Sequence, residues 1–166
     1  MHTLIVVTAQ YALFLSLVIA GAVWLRLPRR QKWELDVWAI VGGALTLVLI
    51  KVGGALYVDQ RPFVTQHLAP LFPHAADNGF PSDHTAASMF LAVCVLFYSR
   101  RWGSVLVVIS VLIGVARIAA HVHRPIDILG AMAIAVAAAL SARPAALWLT
   151  RRRSLPATAP RTSDED

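Results

Sequence analysis

Nearly every side chain able to do acid, base or nucleophilic chemistry falls in two short stretches of this chain. Arg61-Pro62 opens the first and Gly79-Phe80-Pro81-Ser82-Asp83-His84-Thr85 closes it, while Arg117, His121, His123, Arg124 and Asp127 make up the second. This set suits transfer of a phosphoryl group. An aspartate four residues after a histidine can accept its ring N–H, which fixes the tautomer and leaves the other nitrogen as a nucleophile; here that pair is His123 and Asp127. A phosphorylated His123 would split hydrolysis into two steps, with His84 protonating the leaving oxygen and then activating water. Arg61 and Arg117 offer planar, forked donors for phosphate oxygens. Ser82 precedes an apolar helix and can cap it, where exposed backbone N–H groups also suit a phosphate oxygen. His2, His67 and His74 are expected at solvated or interfacial positions, and His121 at the surface. No histidine spacing reads as a metal site, so neither metal nor cofactor is expected.

The elements that must position these residues are membrane helices. Of 166 residues, 58% are apolar and only 14% charged, far from the balance of a soluble domain. Apolar segments run over 3–25, 37–58, 85–98, 103–120 and 126–149. Crossing a hydrocarbon core of ~30 Å takes about 20 residues, so most of these can span, and the third is short enough to require tilt, snorkelling arginines or a thinned bilayer. The expected fold is all-α: a polytopic helical bundle of about five transmembrane helices. Residues 1–150 form the membrane-embedded domain, and 151–166 form a basic, then acidic tail expected to be disordered. The first segment is too long and lacks the basic start of a signal peptide, so it is read as a retained helix.

Charge orients the bundle. Arg26, Arg29, Arg30 and Lys32, then Arg100 and Arg101, then Arg151, Arg152 and Arg153 follow alternate segments and therefore share one side. Positive charge marks that side as cytoplasmic, which puts the carboxyl terminus inside and both reactive stretches outside, in a multi-pass protein of the plasma membrane. The net charge of +6 is accounted for by these clusters, so nucleic acid is not an expected partner, and no obligate protein partner is evident. The lone cysteine, Cys94, excludes a disulfide within the chain. Trp24, Trp33, Trp38, Trp102 and Trp148 all fall near the cytoplasmic ends, as an interfacial belt would.

Arg61-Pro62, Pro81-Ser82-Asp83-His84, and Arg117 with His123 and Asp127 at its spacing resemble the three-part signature of the type 2 phosphatidic acid phosphatase superfamily, over about 51–130. The resemblance implies a metal-independent phosphatase with His123 as phosphate-accepting nucleophile, His84 as acid and base, and Asp127, Arg61, Arg117 and Ser82 as their partners. Three departures stand out. Nine residues separate Lys51 from Arg61, where the family has six, and Gly54 holds the expected place of the lysine. Ala116 stands where a serine is common, and Asp83 where glycine is usual. Asp83 is ordinary in the bacitracin-resistance branch, which the stretch from His74 to Thr85 resembles more specifically. That branch hydrolyses undecaprenyl diphosphate, so the implied substrate is a polyprenyl diphosphate in a lipid membrane. Another lipid phosphate (phosphatidate, phosphatidylglycerol phosphate or a prenyl phosphate) and a non-catalytic transport or drug-resistance protein are the alternatives.

Overall fold

The structure, a computed structural model, describes residues 1–66 and 68–153. It is all-helical: α1 (His2–Arg26), α2 (Arg29–Leu56), the one-turn α3 (Pro62–Thr65), α4 (Asp83–Leu96), α5 (Arg100–Ala119) and α6 (Pro125–Arg153). No strand occurs among the described residues; Gln60 and Asn78 form a single antiparallel bridge across the base of the long connection. Helices α1, α2, α5 and α6 are long and apolar enough to cross a membrane, and α4 is the shorter apolar helix. The chain is therefore a multi-pass membrane protein. The expected position of His67 and the expected disorder of the tail beyond 153 lie outside the described residues, whereas Arg151, Arg152 and Arg153 continue α6 as helix.

At ~1.5 Å per residue, the 14 residues of α4 rise about 21 Å, short of a bilayer core. Its surroundings explain how it is tolerated. The helix packs against α1, α2, α5 and α6, and Ala86, Met89, Phe90, Ala92, Val93, Cys94 and Val95 are all buried. A helix wrapped by protein does not have to match the lipid thickness. Small residues let the others close around it: Ala131, Ala135, Ala138, Ala139, Ala142 and Ala146 make the buried stripe of α6, and close backbone approach is how membrane helices gain packing energy. A Cβ on Gly42 would lie 2.8 Å from the Phe90 ring, so glycine is what seats that ring between α2, α4 and α6.

One belt residue does not lie in a belt. Trp38 is 1% exposed; its Nε1–H donates to the Ala139 carbonyl at 2.8 Å, and its ring meets Phe97 edge-on at 5.3 Å. The position near a helix end suggested the interface, but the buried face of α2 is set by α6, which a hydropathy profile does not register.

Both reactive stretches meet at one end of the bundle. The connection after α2 folds over it through Asn78, whose amide donates to the carbonyls of Gly54 and Tyr57 at 2.8 and 3.1 Å and whose Oδ1 accepts from Asp59 N at 2.9 Å. Leu71 N then donates to the Ala120 carbonyl at the α5–α6 corner, and Ser82 N to the Asp127 carbonyl at the start of α6. His121 turns that corner with φ at 62°, a left-handed conformation more readily taken by glycine or asparagine. The Phe80 ring lies against Gly130, where an added Cβ would overlap it, so the segment before α4 can sit flat on α6.

Candidate active site

Pro125 starts α6 with its preset φ, which leaves His123 in the corner and Asp127 in the first turn. Asp127 Oδ2 accepts from Arg124 N at 2.7 Å and lies 3.3 Å from His123 Nδ1. On the other side of the ring, Arg61 Nη1 lies 3.3 Å from His123 Nε2. An ionised carboxylate only accepts and a guanidinium only donates, so the two neighbours together fix the tautomer: the proton sits on Nδ1 and the lone pair on Nε2. Arg61 is itself held by the Val122 carbonyl and by Asp77, each at 2.8 Å.

Arg117 comes from the last turn of α5. Its Nη1 donates to the Ala9 carbonyl of α1 at 3.1 Å and its Nη2 meets His74 Nε2 at 3.1 Å, while its Nε is buried with no partner. Arg61, Arg117, His123 and Asp127 have relative exposures of 5, 3, 2 and 0%. A buried, incompletely paired guanidinium on a membrane-spanning helix is costly, because the ion has lost its water without gaining a full set of acceptors. An anion in the cavity that Arg117 lines would offset its charge.

Arg61, His84, Arg117 and His123 line one cavity of about 360 Å³, together with His74, Asp77, Asn78, Pro81, Asp83 and Lys51. Two sequence-derived candidates lie behind its wall. Asp127 reaches the cavity through His123. Ser82 is completely buried at the N-cap of α4, but makes no side-chain cap: its Oγ accepts from the Thr85 hydroxyl at 3.1 Å instead of from a backbone N–H. The helix capping expected of Ser82 is thus replaced by a hydroxyl pair, because Thr85 stands one turn along on the same face. His121 is turned away and lies 3.1 Å from the Ala69 carbonyl through Nδ1.

Sequence reasoning missed His74, which lines the cavity instead of standing at a solvated position. Its ring is 6.2 Å from that of His123, edge to face. Burial, then the charges of Arg61, Arg117 and His123, push its pKa down to about 4, which agrees with a neutral ring whose Nε2 accepts from Arg117. Burial also lowers His123 from the ordinary histidine range; the Asp127 hydrogen bond opposes this, and the two arginines reinforce it. Burial alone would raise Asp77, but the hydrogen bond and charge of Arg61 hold it below the usual carboxylate value. Asp59 is raised, by burial first and then by the nearby Asp127 charge, while Arg124 reaches it at 3.2 Å. Arg124 also donates to the Thr65 hydroxyl at 2.8 Å, so it ties the corner to α3. Asp59, Arg124 and Asp77 form an outer layer that fixes the inner one. Among the described residues no three His, Cys, Asp or Glu side chains converge as a metal site requires.

The arrangement offers a neutral imidazole whose Nε2 lone pair meets Arg61 at the cavity, a second imidazole in the same cavity and two guanidinium groups, which together fit attack on phosphorus and stabilisation of its oxygens. Comparison with known proteins agrees with that chemistry. The chain is 33% identical over 136 residues to "Undecaprenyl-diphosphatase BcrC" of Bacillus subtilis, covering 82% of this chain and 70% of that protein. It is 28% identical over 132 residues to "Bacitracin transport permease protein BcrC" of Bacillus licheniformis, covering 79% of this chain and 63% of the relative. The crystal structure of Aquifex aeolicus LpxE has the same fold, with a TM-score of 0.63 at 23% identity over 83% of this chain and 79% of that one. The profile of the PAP2 superfamily matches residues 35–153, which carry every element of the cavity except the α1 carbonyl that holds Arg117, and the chain belongs to that superfamily.

Proposed function

We propose that the chain is a membrane phosphatase that hydrolyses a polyprenyl diphosphate, undecaprenyl diphosphate foremost, to the monophosphate and inorganic phosphate. The observation that carries this reading is the His123 ring held between Asp127 and Arg61, with its Nε2 lone pair at the cavity. The name of the Bacillus subtilis relative supplies the substrate. His123 Nε2 attacks the terminal phosphorus as the bond to the bridging oxygen breaks, and His84 gives that oxygen its proton. The phosphohistidine is then cleaved by water, whose proton passes to His84, and His123 returns neutral. Arg117 and Arg61 bear the charge on the phosphoryl oxygens; Arg61 Nη1 leaves the lone pair for an oxygen as substrate enters. Asp127 holds the tautomer and stabilises the ring as it becomes positive, and Ser82 ties the start of α4 to that of α6.

The same chemistry on phosphatidate, phosphatidylglycerol phosphate or a prenyl phosphate is the nearer alternative. A non-catalytic transport protein is the farther one, and takes its support from the name of the Bacillus licheniformis relative. Phosphate release by the purified chain and by His123→Ala, from each lipid, with chelator present, separates them. Wild type is expected to release phosphate fastest from the polyprenyl diphosphate, and His123→Ala to fall by about 10⁴-fold or more. Equal release by both forms ends the mechanism, and preference for a glycerolipid changes the substrate.

The site faces the outer side of the plasma membrane in this reading, with Arg100, Arg101 and the end of α6 in the cytoplasm. A reporter fused after Thr150 tests it: an extracytoplasmic signal reverses the orientation.

A further inference from the structure

A second cavity, of about 520 Å³, opens between α1, α2 and α4 and is walled by Leu13, Leu17, Leu47, Phe90 and Leu91 among others. It shares Ile50, Lys51, Asp83 and His84 with the polar cavity, so the two adjoin at these residues. Lys51 is the one permanent cation on the wall of the apolar cavity, and it makes no hydrogen bond or ion pair among the described residues. Asp83 stands at the same junction, and the two are not within ion-pair distance. Position 54, one turn later on the same face of α2, carries no side chain: Gly54 lines the polar cavity, a Cβ there would lie a tight 3.1 Å from the Phe80 carbonyl oxygen, and its own carbonyl accepts from Asn78. Lys51 is the cation that α2 brings to the junction.

We infer that Lys51 binds the lipid-attached phosphate of a diphosphate substrate at this junction, and so makes the site select diphosphates. The inference rests on the function proposed above. With the terminal phosphate at His123 and the bridging oxygen at His84, the retained phosphate falls where His84 borders both cavities, and the tail continues into the apolar one. Asp83 would repel that phosphate, and Lys51 offsets it. A monophosphate lipid turned over as a substrate has its only phosphate at His123 and places nothing at Lys51, whereas the monophosphate product of a diphosphate keeps its phosphate there.

The two products probe the two subsites separately. The full chain in detergent is assayed on farnesyl diphosphate, with farnesyl monophosphate and orthophosphate as inhibitors, as wild type, Lys51→Gln and Lys51→Arg. Lys51→Gln is expected to lower kcat/KM and raise the Ki of farnesyl monophosphate by about 10-fold or more each, with the Ki of orthophosphate moving less than about 2-fold. Lys51→Arg, which keeps the charge, is expected to stay within about 3-fold of wild type. An unchanged farnesyl monophosphate Ki, or equal rises for both inhibitors, overturns the assignment. Loss of turnover by wild type itself, or its retention in His123→Ala, counts against the proposed function and is read separately.

Discussion

The two ends of the bundle treat their cations in opposite ways. At the end carrying the α1–α2 and α4–α5 corners, Lys32 lies over Trp24, Arg152 over Trp148 and Arg143 over Phe97, at 4.7, 3.8 and 4.2 Å from the ring centroids. Such stacking satisfies a cation with no ligand present. At the other end Arg61 and Arg117 are buried among carbonyls, histidines and carboxylates. Among the described residues, every buried side-chain atom without a partner is there: Asp59 Oδ2, Arg117 Nε, Arg124 Nε and Asp127 Oδ1. Buried polar groups are almost always satisfied, so a cluster of exceptions at one end marks where the fold has been built for something beyond stability.

The largest effect that would break this contrast comes from Asp127→Asn. The new side-chain amide could turn its N–H rather than its oxygen toward His123 Nδ1 and thereby favour the wrong tautomer, and kcat is expected to fall by about 10³-fold. Asp127 is also the main group holding the His123 pKa up against burial and the arginines. Its loss lowers that pKa further, so the acid limb of kcat/KM moves to lower pH while the plateau drops; an acid limb moving upward refutes the pairing. Next in size is Arg117→Ala, expected to cost about 10²-fold in kcat through the lost charge on the phosphoryl oxygens. Arg143→Ala, at the opposite end, should leave kcat within about 2-fold and cost about 1 kcal/mol in thermal stability. Equal kinetic losses at the two ends would erase the contrast. His74→Gln is smaller. Glutamine keeps an acceptor near Arg117 Nη2, and His74, with a pKa of about 4, is already neutral at neutral pH. Here kcat/KM is expected to fall no more than about 10-fold, with no new titration between about pH 6 and 8.

How much of this was legible in the sequence differs by element. The apolar runs gave α1, α5 and the start of α6 to within a few residues, because a spanning helix is a long hydropathy signal. For α2 the run beginning at 37 missed the turns from Arg29, whose polar residues are helical and are tied back to α1 by Trp24 Nε1–H donating to Asp36 at 2.8 Å. The inner site was legible next to helix ends: Pro125 starts α6, which leaves His123 just outside it and Asp127 in its first turn, and Arg117 lies in the last turn of α5, just before the corner. It was not legible in the connection between α2 and α4, which has no period to read. His74, Asp77 and Asn78 acquire their partners only when that loop folds across the bundle, and His74 looks in sequence like any solvated loop histidine.

The smallest expected effect concerns the end without chemistry. Trp38→Phe keeps an aromatic ring against Phe97 and removes the Nε1–H bond to the Ala139 carbonyl. That carbonyl lies inside α6 and retains its helical donor, so nothing buried is stranded. Bonds between membrane helices average about 0.6 kcal/mol in double-mutant cycles, since the separated helices find other partners, and a loss of that order is expected, measured as a shift in denaturation in detergent. Phosphate release should be unchanged. A loss of several kcal/mol would instead mean that the α2–α6 contact depends on this one donor more than on its alanine stripe. A parallel loss of activity would mean that the two ends are mechanically coupled through α6, which runs from Asp127 at the site to Arg143 over the Phe97 ring.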